Sequence, residues 1–375
     1  MKFSDIPGHQ QVKQRLRDMV DRDAIPHAIL LEGPAGIGKF ALARALAQYI
    51  HCESPVDGEP CGHCPSCLQH QSFNHLDTYY SYPVARREKM NTPPVSADFA
   101  DEWHRFLADD MFMNFDRWAA TFERKNLKPT FYVTESVELL RMLNFTTHGA
   151  RYKIVLLWLP ERMGEETANK LLKIIEEPFS DTIFIMTSNA PASILPTIYS
   201  RLRRIGVKRL SDDEIASWLV TTAAVNPDDA LAIAHNAEGS PARAVALLDT
   251  NGDDAEFLDR FIRLMRLAYQ RNIRELREWG AELAGWGSER QQRFYGYCQR
   301  LVRENFVYNF GTPRLNYMNR SEANFAVNFA RFINERNCEK IIEVLNGALT
   351  DIAGNANAKI VNLDVAIKII LLLKR

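Results

Sequence analysis

The residues with the clearest chemical potential are Gly33-Pro34-Ala35-Gly36-Ile37-Gly38-Lys39, set between an apolar run, His27 to Glu32, and a segment of helical periodicity, Phe40 to His51. A strand, a glycine-punctuated loop and a helix in that order bring backbone N–H groups and a helix N-terminus around a phosphate. Gly33, Gly36, Gly38 and Lys39 are therefore candidate nucleotide-binding residues. The metal half of that chemistry is missing. A Ser or Thr after the lysine normally gives Mg²⁺ a hydroxyl, and here that residue is Phe40. The apolar run that should end in an acidic pair, Lys153 to Leu157, continues as Trp158-Leu159, and Glu161 is the only nearby acid. Two losses in the same chemistry predict a pocket with no Mg²⁺ site and no hydrolysis of its own. ATP held without turnover stays open, because Lys39 and the loop amides are intact.

A second constellation follows the loop. Cys52, Cys61, Cys64 and Cys67 are spaced C-x8-C-x2-C-x2-C, with Gly62 and Pro65 suited to the tight turns between them. Four thiolates in so short a segment suit tetrahedral Zn²⁺ at about 2.3 Å, and four sulfur ligands leave no open position for water, so the expected zinc is structural. Free thiols, a disulfide, or His51, His63 or His75 replacing one cysteine are the alternatives. Cys298 and Cys338 stand alone in helical patterns and read as buried cysteines.

The elements that position these groups alternate along the chain. Strands are expected at Thr78 to Val84, Lys153 to Leu159 and Thr182 to Ser188, with helices at Glu135 to Thr147 and at Glu165 to Glu177, the latter stopped by Pro178. This alternation implies an α/β fold with a parallel sheet. Residues 85 to 129 interrupt it, carrying Trp103, Phe106, Phe115, Trp118 and Phe122 at three- and four-residue steps. Such spacing predicts helices around a private mini-core, with a partner surface as the alternative. From Ser211 the strand signals fade into short helices, Ser211 to Val220, Asp228 to Ala237 and Pro241 to Leu248, with Ser211 and Pro241 at helix starts. Asn251-Gly252-Asp253-Asp254 reads as a linker into a helical block from Ala255 to Arg375.

Composition narrows the function classes. With 46% apolar and 25% charged residues the chain is of the globular class, and its net charge of −1 supplies no global positive field to draw it onto nucleic acid or an acidic membrane. DNA contact is then expected to be local or shared with partners. MKFSDIPGHQ lacks the order of a secretory signal, and no apolar run approaches the roughly 20 residues of a membrane span, which points to the cytosol. A reducing compartment favours metal ligation over disulfides.

Taken together, the run from Phe3 through His27 to Lys39, the four-cysteine module, Asn169-Lys170-Leu171-Leu172-Lys173-Ile174-Ile175-Glu176-Glu177-Pro178 and Ser200-Arg201 resemble bacterial clamp-loader subunits over residues 1–248, the insertion excepted. The resemblance implies an AAA+ P-loop sheet with a zinc module (1–208), a helical lid (209–250) and an all-α oligomerisation collar (255–375). Phe40 and Trp158-Leu159 look like the delta-prime, or stator, type rather than the gamma/tau motor type. A stator works in the DNA polymerase III holoenzyme with gamma/tau and delta subunits, the sliding clamp and primed DNA, in the cytoplasm and with the nucleoid through the replisome. Arg201 matches the arginine that enters a neighbouring ATP site and stabilises transition-state charge there, although Leu202 replaces the usual cysteine. Asn189 aligns with the first sensor position. Gly239-Ser240-Pro241-Ala242-Arg243 resembles the second sensor motif, but the arginine position falls on Ala242, and Arg243 lies about 100° further round a helix. An active motor subunit using Glu161, and a zinc-containing DNA-binding module with a vestigial ATPase fold, are the competing functions.

Overall fold

The computed structural model describes the chain except for residues 88–89, 123–127, 177–178, 180, 313–314 and 374–375 and the side chains of 249–252 and 254. By its internal contacts the chain divides into two compact units. One comprises Met1–Trp218 and Ala237–Ala244, the other Leu219–Asn236 and Val245–Arg375.

The first unit is built on strands β1 (Ala28–Glu32), β2 (Thr78–Ser81), β3 (Lys153–Trp158), β4 (Thr182–Ser188) and β5 (Arg203–Gly206). They form one sheet in the order β2-β3-β4-β1-β5, and every neighbouring pair is parallel. A parallel sheet is covered on both faces, so its central strands read as continuous apolar runs whose residues alternate between two cores. Ile29, Leu31, Ile154, Leu156, Trp158, Ile183 and Ile185 enter one core. Ala28, Leu30, Val155, Leu157, Phe184 and Met186 enter the other.

Helices α1 (Gln10–Asp21), α2 (Lys39–His51), α3 (Pro65–Gln71), α4 (Ala100–Asp109), α5 (Phe115–Ala120), α6 (Val133–Leu143), α7 (Glu165–Glu176) and α8 (Pro196–Tyr199) surround the sheet. Strand β2 stops short of the expected Val84. Pro83 has no N–H to donate, and the Tyr82 N–H goes to the Ser96 hydroxyl at 3.0 Å instead of a neighbouring strand. Helix α6 ends at Leu143 rather than Thr147, where the Asn144 amide caps the Leu140 carbonyl at 2.8 Å. Helix α7 lies where expected; Pro178, read as its stop, falls outside the described residues. Strand β5 was hidden in a basic run, because Ile205 is its only buried residue.

The insertion does not make a private mini-core. Trp103, Phe106, Trp118 and Phe122 of α4, α5 and the turn after α5 belong to the same core as Phe40 and the β3 residues. Tyr82, beyond the end of β2, stacks on Trp103 at 3.8 Å between ring centroids, so the insertion closes onto the sheet edge it leaves.

Helices α9 (Asp212–Ala223), α10 (Pro227–Asn236) and α11 (Pro241–Gln270) follow, then α12 (Ile273–Ala284), α13 (Ser288–Tyr308), α14 (Arg320–Phe329), α15 (Cys338–Ala353) and α16 (Ala358–Leu372). The expected linker at Asn251–Asp254 is not a break, since α11 runs through it. Asp253 lies against α13, paired with Arg290 at 2.7 Å and Arg293 at 3.0 Å. Phe257, Phe261, Leu264, Trp279, Phe294 and Leu301 centre that unit's core, which also holds Cys298 and Cys338. Asn362 stitches three of its helices, accepting from Tyr295 Oη at 2.7 Å and donating to the Gly280 carbonyl at 3.0 Å. Among the described residues no helix is long and apolar enough to cross a membrane.

Candidate functional site

The glycine loop follows central strand β1 and opens helix α2, as its sequence requires. Gly36 has φ +74°, and a Cβ there would come within 2.7 Å of Ser240 Oγ and 2.8 Å of Ala242 Cβ. A Cβ on Gly33 would meet the Val207 carbonyl at 2.1 Å. The loop carbonyls are occupied from several sides. Ala242 N–H donates to Gly36 O at 3.1 Å, and the His9 ring bonds Ile37 O at 2.7 Å. Lys39 curls back onto its own loop, donating to Gly33 O at 2.8 Å and to Pro34 O. Burial pulls this ammonium down to about 7, while the Glu161 carboxylate acts in the opposite direction.

The positions where metal ligands were expected, Phe40 and Trp158, are packed among rings. Phe40 is 2% exposed and meets Trp103 edge-on at 5.8 Å between centroids. Trp158, at the end of β3, lies 5.4 Å from Trp103 and 6.0 Å from each of Phe106 and Phe115. Neither Phe40 nor Trp158 carries an oxygen ligand, and both sit in a packed aromatic cluster. Glu161 is engaged in holding backbone: Oε1 accepts from the N–H groups of Asn189 at 2.8 Å and Ala190 at 3.2 Å. Asn189 therefore lies beside the loop at the end of β4, fixed by the same acid that sequence reasoning offered as a displaced catalytic carboxylate.

The four cysteines converge. All four Sγ atoms lie within 4.8 Å of one another, and Cys61 and Cys67 are 3.9 Å apart. Zn–S bonds of about 2.3 Å in a tetrahedron place sulfurs about 3.8 Å apart, so the donor set fits zinc. Backbone N–H groups point at the sulfurs: Cys61 N to Cys52 at 3.2 Å, Cys64 N to Cys61 at 3.3 Å and Cys67 N to Cys64 at 3.4 Å. The amides of His63 and Cys64 hold the Cys61 thiol down to about 6, whereas burial pushes Cys67 up to about 12. Cys64 is also the N-cap of α3 and Pro65 its first residue, which is how the sequence builds the turn.

Residues 8–211 match the family model described as DNA polymerase III, delta subunit. This chain belongs to that family. It is 28% identical to DNA polymerase III subunit delta' of Haemophilus influenzae over 244 residues, covering 65% of this chain and 60% of the relative. Against the subunit delta' of Pseudomonas aeruginosa it is 30% identical over 205 residues, or 55% and 50% of the two chains. The match thus spans half to three-fifths of the length of these two relatives. A solved DNA polymerase III gamma subunit-related protein of Thermotoga maritima covers 96% of this chain and 99% of its own at 13% identity, with a TM-score of 0.38.

The family's remaining motif positions lie around the sheet. Arg201 follows α8 at the start of the turn into β5; its guanidinium pairs with Glu176 at the end of α7 and donates to Thr197 O at 2.6 Å. The side chain is 40% exposed. Leu202, in place of cysteine, is buried in the sheet's second core and leaves the arginine outside it. Arg243 pairs with Glu238 at 2.6 Å, and Ala242 touches the loop through its N–H to Gly36 O at 3.1 Å.

Sequence reasoning missed a cluster beside the cysteines. His51, His70 and His75 are buried with ligand nitrogens within 4.8 Å of one another. His51 and His75 therefore belong to a separate group rather than replacing a cysteine, and His63 is exposed, its Nδ1 3.2 Å from Cys61 O. The sequence carries no joint signal: His70 extends the three-residue step of Cys61, Cys64 and Cys67, but no spacing ties it to His51 and His75.

Proposed function

We propose that this chain is a non-hydrolysing, stator-type subunit of a clamp-loading assembly that places a sliding clamp on primed DNA during replication. The observation that carries the reading is the aromatic filling of the Mg²⁺ corner: Phe40 and Trp158 stand where hydroxyl and carboxylate ligands would be, locked by Trp103. Family membership supplies the context, and the delta' and tau subunits it resembles suggest gamma/tau and delta subunits as partners. The layout follows as an AAA+ domain, a helical lid and a helical collar. The site of action is the cytoplasm, with the nucleoid reached through the assembly.

Chemistry then moves to Arg201. An exposed guanidinium held by Glu176, the Thr197 carbonyl and, at 3.5 Å, the Ser200 hydroxyl can exchange those partners for the γ-phosphate of a neighbour's nucleotide, where it stabilises charge in the transition state. In this chain's own loop, ATP requires Lys39 to leave Gly33 and Pro34 first, and the filled corner gives it no route to turnover. Cys52, Cys61, Cys64 and Cys67 would hold Zn²⁺, which supplies a cross-link between the end of α2 and α3 and no open coordination position.

The test is ATP turnover by the isolated chain with clamp and primed DNA present. The expected result is background turnover, unchanged in Lys39→Ala. A Lys39-dependent rate would overturn the reading in favour of a motor subunit.

A further inference from the structure

The three buried histidines have no part in the function proposed above. His51 ends α2 directly before Cys52, His70 lies on α3, and His75 precedes β2. Ring nitrogens of His51 and His70 meet directly, while His75 Nδ1 accepts the Asp77 N–H at 3.2 Å, a contact that a bound ion would displace. His51 Nε2 is occupied by the Tyr152 carbonyl at 2.9 Å, which makes that nitrogen the protonated one and turns the Nδ1 lone pair inward. His51 Nδ1 lies 2.9 Å from His70 Nε2, and Thr78 Oγ1 is 3.4 Å from both His51 Nδ1 and His75 Nδ1. His75 Nε2 is tied in turn to Ser66 Oγ at 3.0 Å.

We propose that His51, His70 and His75 form a second metal site, separate from the four-cysteine cluster, for a divalent late first-row transition ion such as Zn²⁺. Imidazole nitrogens suit this class, and metal–nitrogen bonds of about 2.0–2.1 Å in a tetrahedron set nitrogens about 3.3 Å apart, which lies between the 2.9 Å of the His51–His70 pair and the 4.8 Å that bounds the whole set. The outer contacts also fit. A ligating imidazole usually donates its second N–H to a carbonyl or similar acceptor, as His51 does to Tyr152 and His75 can to Ser66. Asp77, 2% exposed, supplies a buried negative charge beside His75, with its carboxylate held by the N–H groups of His148 and Ala150.

The fourth position falls to the Thr78 hydroxyl or to a water it holds. Entry of the ion replaces the His51–His70 hydrogen bond and fans apart the rings, which stack at 4.2 Å for His51 on His75 and 4.4 Å for His70 on His75. The bland alternative is a set of neutral imidazoles that satisfy one another without metal.

The experiment counts metal per chain in the tag-free, full-length protein after equilibration with Zn²⁺ and removal of excess, then repeats the loading with Co²⁺ and reads its absorption. Two ions are expected per wild-type chain, one with thiolate-to-cobalt bands and one with imidazole-type d–d bands alone. His70→Gln and His75→Gln are expected to lose the second ion and keep the thiolate bands. A wild-type count of one ion, with thiolate bands only, overturns the proposal whether or not the variants fold. So does a second ion that survives in both folded variants.

Discussion

The glycine loop and the cysteine module are neighbours in sequence, and both keep the spacing of their motifs, yet their chemistry has diverged. In the loop the lysine and the expected metal positions are engaged by protein: Lys39 by Gly33 and Pro34, and Phe40 and Trp158 by Trp103. In the module the four sulfurs converge and receive backbone N–H groups, and they leave a centre of the size zinc needs. Motif spacing reports where a ligand would sit. Whether the position is still open depends on the residues that pack beside it.

The strongest way to break this comparison is to remove a sulfur. Cys67→Ser is expected to abolish zinc retention and melt the segment from Cys52 to Gln71, since structural zinc contributes on the order of 10 kcal/mol in small zinc domains. Bound metal and protease resistance of that segment are the readouts; an unchanged wild-type profile would make the module's convergence incidental. The matching change on the loop side is Trp103→Ala. It removes the ring that joins Phe40, Tyr82 and Trp158 and is expected to cost about 3–5 kcal/mol in chemical denaturation, without creating ATP turnover.

A gentler probe is pH. Lys39 has its folded value lowered from 10.5 to about 7, so between these limits the unfolded chain binds more protons, and stability attributable to Lys39 rises with pH across that window. Lys39→Met is expected to flatten the slope relative to wild type; parallel curves would mean the ammonium is not buried against its loop. The smallest effect belongs to Arg201→Ala in the isolated chain. An exposed pair with Glu176 contributes about 0–1 kcal/mol, so the melting curve should barely move.

Much of the first unit was legible because buried parallel strands write themselves as apolar runs, and β1, β3 and β4 were read within a residue or so. Where the reading failed, tertiary partners decided. Pro83 and the Ser96 hydroxyl ended β2 early, and Arg290 and Arg293 drew Asp253 into a helix where composition suggested a linker. The aromatic step in the insertion was visible, but periodicity does not say which core it joins. For the site, the four converging cysteines were legible residue by residue. The His51–His70–His75 cluster was not, because its members come from three elements whose approach only the fold defines.

In the proposed function, hydrolysis takes place in a neighbouring subunit's pocket, which this chain completes through Arg201. The most direct measurement is clamp- and DNA-stimulated ATPase of the assembly reconstituted with gamma/tau and delta subunits, comparing Arg201→Ala with Lys39→Ala. Arg201→Ala is expected to slow the composite site that receives it by about 10²-fold or more, while Lys39→Ala leaves the rate unchanged. The reverse pattern, a rate that depends on Lys39 and ignores Arg201, would contradict the account.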